Sequence, residues 1–190
     1  MLDWLKTRSD RRQIARSIYG SIVTRAREPV FYARWGVPDS IQGRFEMVAL
    51  HLVLALRRIA AEGPDAEPLG RALTEAFVVD LDDVMREMTF GDLAVPREVK
   101  RATAALFDRH SAYSKALEAP GGSVLADALR AQLAYLYADR APAKGAGTPA
   151  VPGLDAQGLS DYVRSVASAL DAQPASPILA GRLEWPQPPR

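Results

Sequence analysis

Between Asp39 and Gly63, apolar residues recur at steps of three and four: Ile41, Phe45, Val48, Ala49, Leu52, Leu56, Ile59 and Ala60. That spacing is one face of an α-helix. Asp39 or Ser40 offers a side-chain oxygen to the free N–H groups of the first turn, and Gly63-Pro64 ends the run. From Met47 to Leu56 every residue except His51 is apolar, so the back of this helix is hidden as well. The pattern predicts the centre of a helical bundle. The run is shorter than the roughly 20 apolar residues of a membrane span.

The same period predicts the neighbours. Ile14, Ile18, Ile22 and Val23 form a stripe on a helix over Asp10–Arg27, beside Arg11, Arg12, Arg16 and Arg25. Glu28 to Asp39 is broken by two prolines and a glycine, yet Phe31, Tyr32, Trp35 and Val37 are too apolar for a free loop. It reads as a packed connector. Leu69, Leu73, Phe77, Leu81, Val84 and Met88 mark a helix over Glu67–Met88, which Gly91 closes. Val95-Pro96 opens another, running to about Ala119. After Pro120-Gly121-Gly122, Ser123 caps a helix ending near Asp139. Residues 141–153 are rich in Pro, Ala and Gly and read as a linker. Leu154–Asp171 ends in a short amphipathic helix with Leu159, Tyr162, Val163, Val166 and Leu170, followed by a Pro-rich tail. No stretch alternates with period two. The expectation is an all-α protein: one helical-bundle domain of about five to six helices over 1–140, a linker over 141–153, and a helix with tail over 154–190.

Composition narrows the chemistry. The chain has no cysteine, which excludes disulfides, thiolate metal sites and a cysteine nucleophile. The start, MLDWLKTRSDRRQ, lacks the apolar core of a signal peptide, so secretion is not expected. Net charge is +1 but unevenly spread. Met1–Arg34 carries eight basic and three acidic residues; Glu62–Asp92 carries nine acidic and two basic ones. Such a dipolar surface favours oriented contact with partners. The cations Arg97, Lys100 and Arg101 sit at the start of their helix, where each opposes the dipole by about 0.3–1 kcal/mol. That placement points to a binding role. His51 and His110 are the only histidines, and neither has an acid at a metal-ligand spacing. Asp80, Asp82 and Asp83 lack the glycine-containing loop of a calcium site. No phosphate-binding loop or nucleophile elbow is present, so no cofactor and no enzymatic centre are expected.

Four stretches, AREPVFYARWGVPDS, GRFEMVALHLVLALRRI, EAFVVDLDDVMREMTFGDLAVPREVKR and FDRHSAYSKAL, resemble the ubiquinol–cytochrome c chaperone family in order and spacing, over about Ser17 to Arg140. Its most specific pieces are Arg44-Phe45 with His51, Asp80-Leu81-Asp82 running into Arg86-Glu87, Gly91-Asp92, Val95-Pro96 with Lys100, and Arg109 with Tyr113. Thr89-Phe90-Gly91-Asp92 and Asp108 depart from the family pattern in local turn and helix detail. The resemblance implies an all-helical, non-enzymatic assembly chaperone of the cytochrome bc1 complex. It would bind newly made cytochrome b or bc1 assembly intermediates, with a small partner protein.

On this reading Arg34, Arg44, His51, Asp80, Asp83, Glu87, Asp92, Arg97, Lys100 and Arg101 are the partner-binding candidates. Arg11, Arg12, Arg16 and Arg25 are candidates for membrane or ribosome contact. The Ala- and Arg-rich composition fits a bacterial protein, placed in the cytoplasm at the inner membrane surface. The residues themselves leave two other readings open: a ribosome- or RNA-binding module, and a peripheral membrane module.

Overall fold

Ser40 caps the central helix: its hydroxyl accepts the Gly43 N–H at 3.1 Å. A side chain at Gly43 would collide with the Pro38 carbonyl, so the first turn lies directly on the connector before it. The computed structural model describes residues 2–87, 95–121, 123–140 and 153–188. Its helices are α1 (Leu2–Ala26), α2 (Val30–Ala33), α3 (Ile41–Ala60), α4 (Glu67–Glu87), α5 (Val95–Glu118), α6 (Ser123–Leu133, continued as 3-10 turns over Ala134–Arg140), α7 (Ala156–Asp171) and α8 (Ala175–Leu179). Among the described residues there is no strand.

Helix α3 is the axis and packs against α1, α4, α5 and α7. Its residues from Ala49 to Ala55 are all buried, as the unbroken apolar run requires. α1 begins at Leu2, ahead of its apolar stripe, because nothing between Leu2 and Ser9 breaks a helix. The connector Glu28–Asp39 is packed as expected: Phe31, Trp35 and Val37 are buried, and it contains the short α2. Gly36 sits at φ 74°, where a side chain would strike the Gly153 carbonyl. Tyr137 donates to the Gly36 carbonyl at 2.5 Å, so the end of the α6 region grips this turn.

The segment after the linker belongs to the same core. Leu159, Tyr162, Val163, Val166 and Leu170 of α7 are buried within the cluster that holds Ile18, Ile22 and Leu52. Arg57 clasps the Asp171 carboxylate through two bonds of 2.9 Å. Arg58 donates to the carbonyls of Leu170 and Gln173, both at 2.7 Å. Thus the C-terminal end of α3 holds the end of α7. Most of the predicted linker, the turn at 89–92 and Met88 lie outside the described residues.

Beyond α8 the tail runs as a strap across α1. Ser17 donates to the Gly181 carbonyl at 3.0 Å, and Arg25 to the Trp185 carbonyl at 3.0 Å. The Trp185 indole N–H donates to the Ser21 hydroxyl at 3.0 Å. Gln173 grips the Glu184 backbone at both its N–H and its carbonyl. Leu183 is buried and Trp185 packs against the core, so apolar burial holds the strap together with these hydrogen bonds.

Candidate partner-binding groove

Where α1, α3, α4 and α5 diverge they leave a groove of about 580 Å³. Its floor and walls are apolar, with Val23, Phe45, Val48, Phe77, Leu81 and Met85 prominent. Ile41 at its lip is 53% exposed and Val84 is 37% exposed. Phe45 stacks on Phe77 with ring centres 5.8 Å apart, tying α3 to α4 beneath the opening. The volume falls within the range of about 300–1,000 Å³ that ligand-holding clefts occupy.

A buried ion pair supports one end. Glu46 of α3, 1% exposed, takes the Arg109 guanidinium of α5 on both oxygens, through Nε at 2.7 Å and Nη2. Arg109 also donates to the Ala105 carbonyl at 2.9 Å, and its guanidinium lies over the Phe45 ring at 5.9 Å. Tyr135 donates to Glu46 at 2.6 Å. Burial works against the charge on Arg109, but the hydrogen bonds and charge of Glu46 outweigh it and raise its pKa. Burial, then the Glu46 charge, pushes the Tyr135 phenol up as well, so it stays protonated as a donor. The other rim hydroxyls are also engaged. Tyr19 donates to Asp80 at 2.8 Å and Tyr32 to the Ala26 carbonyl at 2.7 Å.

The predicted residues separate into distinct places. Arg44, Asp80 and Arg101 converge on the groove rim. Arg44 pairs with Asp39 at 2.7 Å, a surface pair whose hydrogen bond lowers the Asp39 pKa. Arg101 and Arg97 reach Glu98 at 3.4 and 3.5 Å. Asp83 and Glu87 are exposed further along α4, Lys100 on α5, and Arg34 after α2. Asp92 lies outside the described residues.

His51 is a correction to the sequence reading. It is 0% exposed, so no partner can reach it in this fold. The Met47 carbonyl can only accept, which assigns the proton to Nδ1 (2.7 Å), and Tyr162 donates to Nε2 at 2.8 Å. Burial pushes its pKa down to about 4. The ring lies in an aromatic cluster with Phe31 (5.2 Å) and Trp185 (5.3 Å). Arg25 is corrected likewise: it is buried beneath the strap, away from any membrane or ribosome surface. Of the other three arginine candidates on α1, Arg12 and Arg16 are exposed and Arg11 is partly so. Arg11 and Arg12 join Arg8, Arg71 and Glu75 around a small, mainly basic cleft between α1 and α4, where Arg71 also pairs with Glu67 at 2.9 Å.

Sequence reasoning gave no role to Glu46 or Tyr135. A signal existed for Glu46, because it shares a helical face with Ala49, Leu50 and Val53. A carboxylate on such a face requires a buried cation. Tyr135 offered no comparable signal.

Among the described residues no three His, Asp or Glu side chains gather as metal ligands, and no helix is long and apolar enough to cross a membrane. No curated protein matches the chain. Among solved structures, the Cbp3 homolog from Brucella abortus is similar over 98% of this chain and 96% of its own, at 29% identity and a TM-score of 0.79. The model of the ubiquinol-cytochrome C chaperone family matches residues 33–185, from the connector through α7 to Trp185. With most of its length matched, the chain belongs to the ubiquinol-cytochrome c chaperone family.

Proposed function

We propose that this chaperone binds newly made cytochrome b during bc1 complex assembly, holding the apolar face of one of its segments in the α1/α3/α4/α5 groove. The observation that carries the reading is an apolar groove that no described residue fills, beside a well-packed core. A membrane protein awaiting its cofactors and partners exposes apolar helix faces that need temporary cover. Action by binding alone is supported by the interior polar groups: Glu46 and Arg109 are engaged with each other, and His51 with the Met47 carbonyl and the Tyr162 hydroxyl. Arg44, Asp80 and Arg101 at the rim, with Asp83, Glu87, Arg34, Arg97 and Lys100 on adjoining surface, are the proposed contacts to the client and to a small partner protein. Deleting the gene tests this: cytochrome b and assembled bc1 complex should fall together, and normal levels of both reject the proposal. Asp83→Lys should lower cytochrome b co-purification with an unchanged melting temperature. Asp83 is the cleaner choice, because Asp80 also holds Tyr19.

A second contact is proposed at the Arg8, Arg11, Arg12 and Arg71 cleft, toward the anionic inner face of the membrane, with the protein in the cytoplasm. Removing α1 cannot test it, since Ile18 and Ile22 are core residues. Arg8→Ser combined with Arg12→Ser should reduce flotation with anionic liposomes. RNA affinity that falls steeply with salt, without flotation, would favour a ribosomal surface instead.

A further inference from the structure

Resting on the reading that the groove holds a client segment, we infer that its occupant is an amphipathic α-helix. An apolar stripe faces the floor, with acidic residues along one flank and basic residues along the other. Three observations carry this. First, an extended segment brings unpaired backbone N–H and C=O groups that must be satisfied. This molecule displays what reading such a segment takes: along the strap, Ser17, Arg25 and Gln173 all bond to backbone. Among the described residues the groove has no such row, only the single amide of Gln42. Its floor is apolar, and the hydroxyls of Tyr19, Tyr32 and Tyr135 already donate within the protein. An occupant must therefore satisfy its own backbone, as a helix does. Second, the apolar floor suits a stripe at helical spacing. Third, the rim is polarised. Arg27 stands on the α1 side and Asp80 on the α4 side, while Arg44 is offset by Asp39 and Arg101 by Glu98. A helix apolar all round would leave these charges facing apolar surface, and one with a single sign of charge would be repelled by one side.

The test uses the full-length protein and labelled synthetic peptides of about 18 residues, five turns of helix. One carries a Leu/Phe stripe with Glu on one flank and Lys on the other. A second keeps the stripe with uncharged flanks, a third places Pro at the centre of the first, and a fourth has Lys on both flanks. The mixed-flank peptide should bind about 10-fold more tightly than each of the others at low salt. In an Arg27→Glu/Arg44→Glu double variant, checked for an unchanged melting temperature, the fourth peptide should become the preferred one. Equal binding of the Pro-containing peptide overturns the helix, and equal binding of the uncharged-flank peptide overturns the charge pattern. A homodimer in sedimentation that Ile41→Glu dissociates would seat a second copy in the groove and overturn the proposal. If the deletion strain loses bc1 complex while the peptides bind indiscriminately, the chaperone reading stands and this inference falls. Peptide discrimination with normal bc1 complex in that strain does the reverse.

Discussion

Helix α3 has two sides that the chain treats in opposite ways. Along one side, around His51, the protein supplies its own cover: α7 brings Tyr162 and the strap brings Trp185. Along the other, Phe45 and Val48 line a groove that no described part of the chain fills. The covered side is an aromatic cluster in which both His51 ring nitrogens and the Trp185 indole meet hydrogen-bond partners. The open side has a polar support below and apolar surface above, with charges gathered at its edge. One side is completed within the fold, and the other presents the groove in which a client segment is proposed to bind. Stability should therefore respond mainly to the covered side and to the support under the groove, and binding to the groove lip.

The largest loss is expected at the support. Arg109→Leu leaves Glu46 buried without its cation and should cost about 3–5 kcal/mol in urea unfolding. A loss under about 1 kcal/mol would mean that water reaches Glu46 and the groove floor is loose. On the covered side, Trp185→Ala should cost about 2–3 kcal/mol, less than the about 3–5 kcal/mol of a wholly buried Trp. Peptide binding to the groove should be unchanged, and its loss there would show that the two sides are coupled through α1.

His51 gives the covered side a pH signature. Burial holds its pKa at about 4 in the folded protein against 6.5 in the unfolded chain. Between those values the unfolded chain takes up a proton that the folded chain refuses. Stability is then complete above pH 6.5 and falls as the pH falls, by about 2 kcal/mol on reaching pH 5. His51→Gln should flatten that slope in unfolding curves taken at several pH values.

The smallest stability change is expected at the lip. Ile41→Glu should alter stability by no more than about 0.5 kcal/mol, since Ile41 is exposed and the first turn of a helix favours an acid. It should nevertheless abolish cytochrome b co-purification. Retained co-purification would move the client site away from this groove.

Much of the bundle was legible in advance. The three-and-four spacing placed α3, α4 and α5 with their ends nearly where they lie, and Ser40 was available as a cap. The place of α7 and the strap was less legible. A Pro- and Gly-rich segment separates them from the bundle in sequence, and separation along the chain carries no information about distance in space. The candidate site was legible only in its rim. Exposed Arg44, Asp80 and Arg101 announced themselves as charges, whereas Glu46 needed Arg109, distant in sequence, to make sense. His51 drew attention as the polar exception in an apolar run, yet its partner Tyr162 lies on the last long helix.

What the sequence by itself determined is the helical class, the position of α3 at the centre, the uneven charge and the family resemblance. These depend on local periodicity and residue type, which are properties of short stretches. Tertiary structure alone decided which side of α3 the described part of the chain covers and which it does not. That depends on the strap returning to α1 and on α4 and α5 diverging from it. Contacts between residues far apart in the chain set both, and no local pattern encodes them.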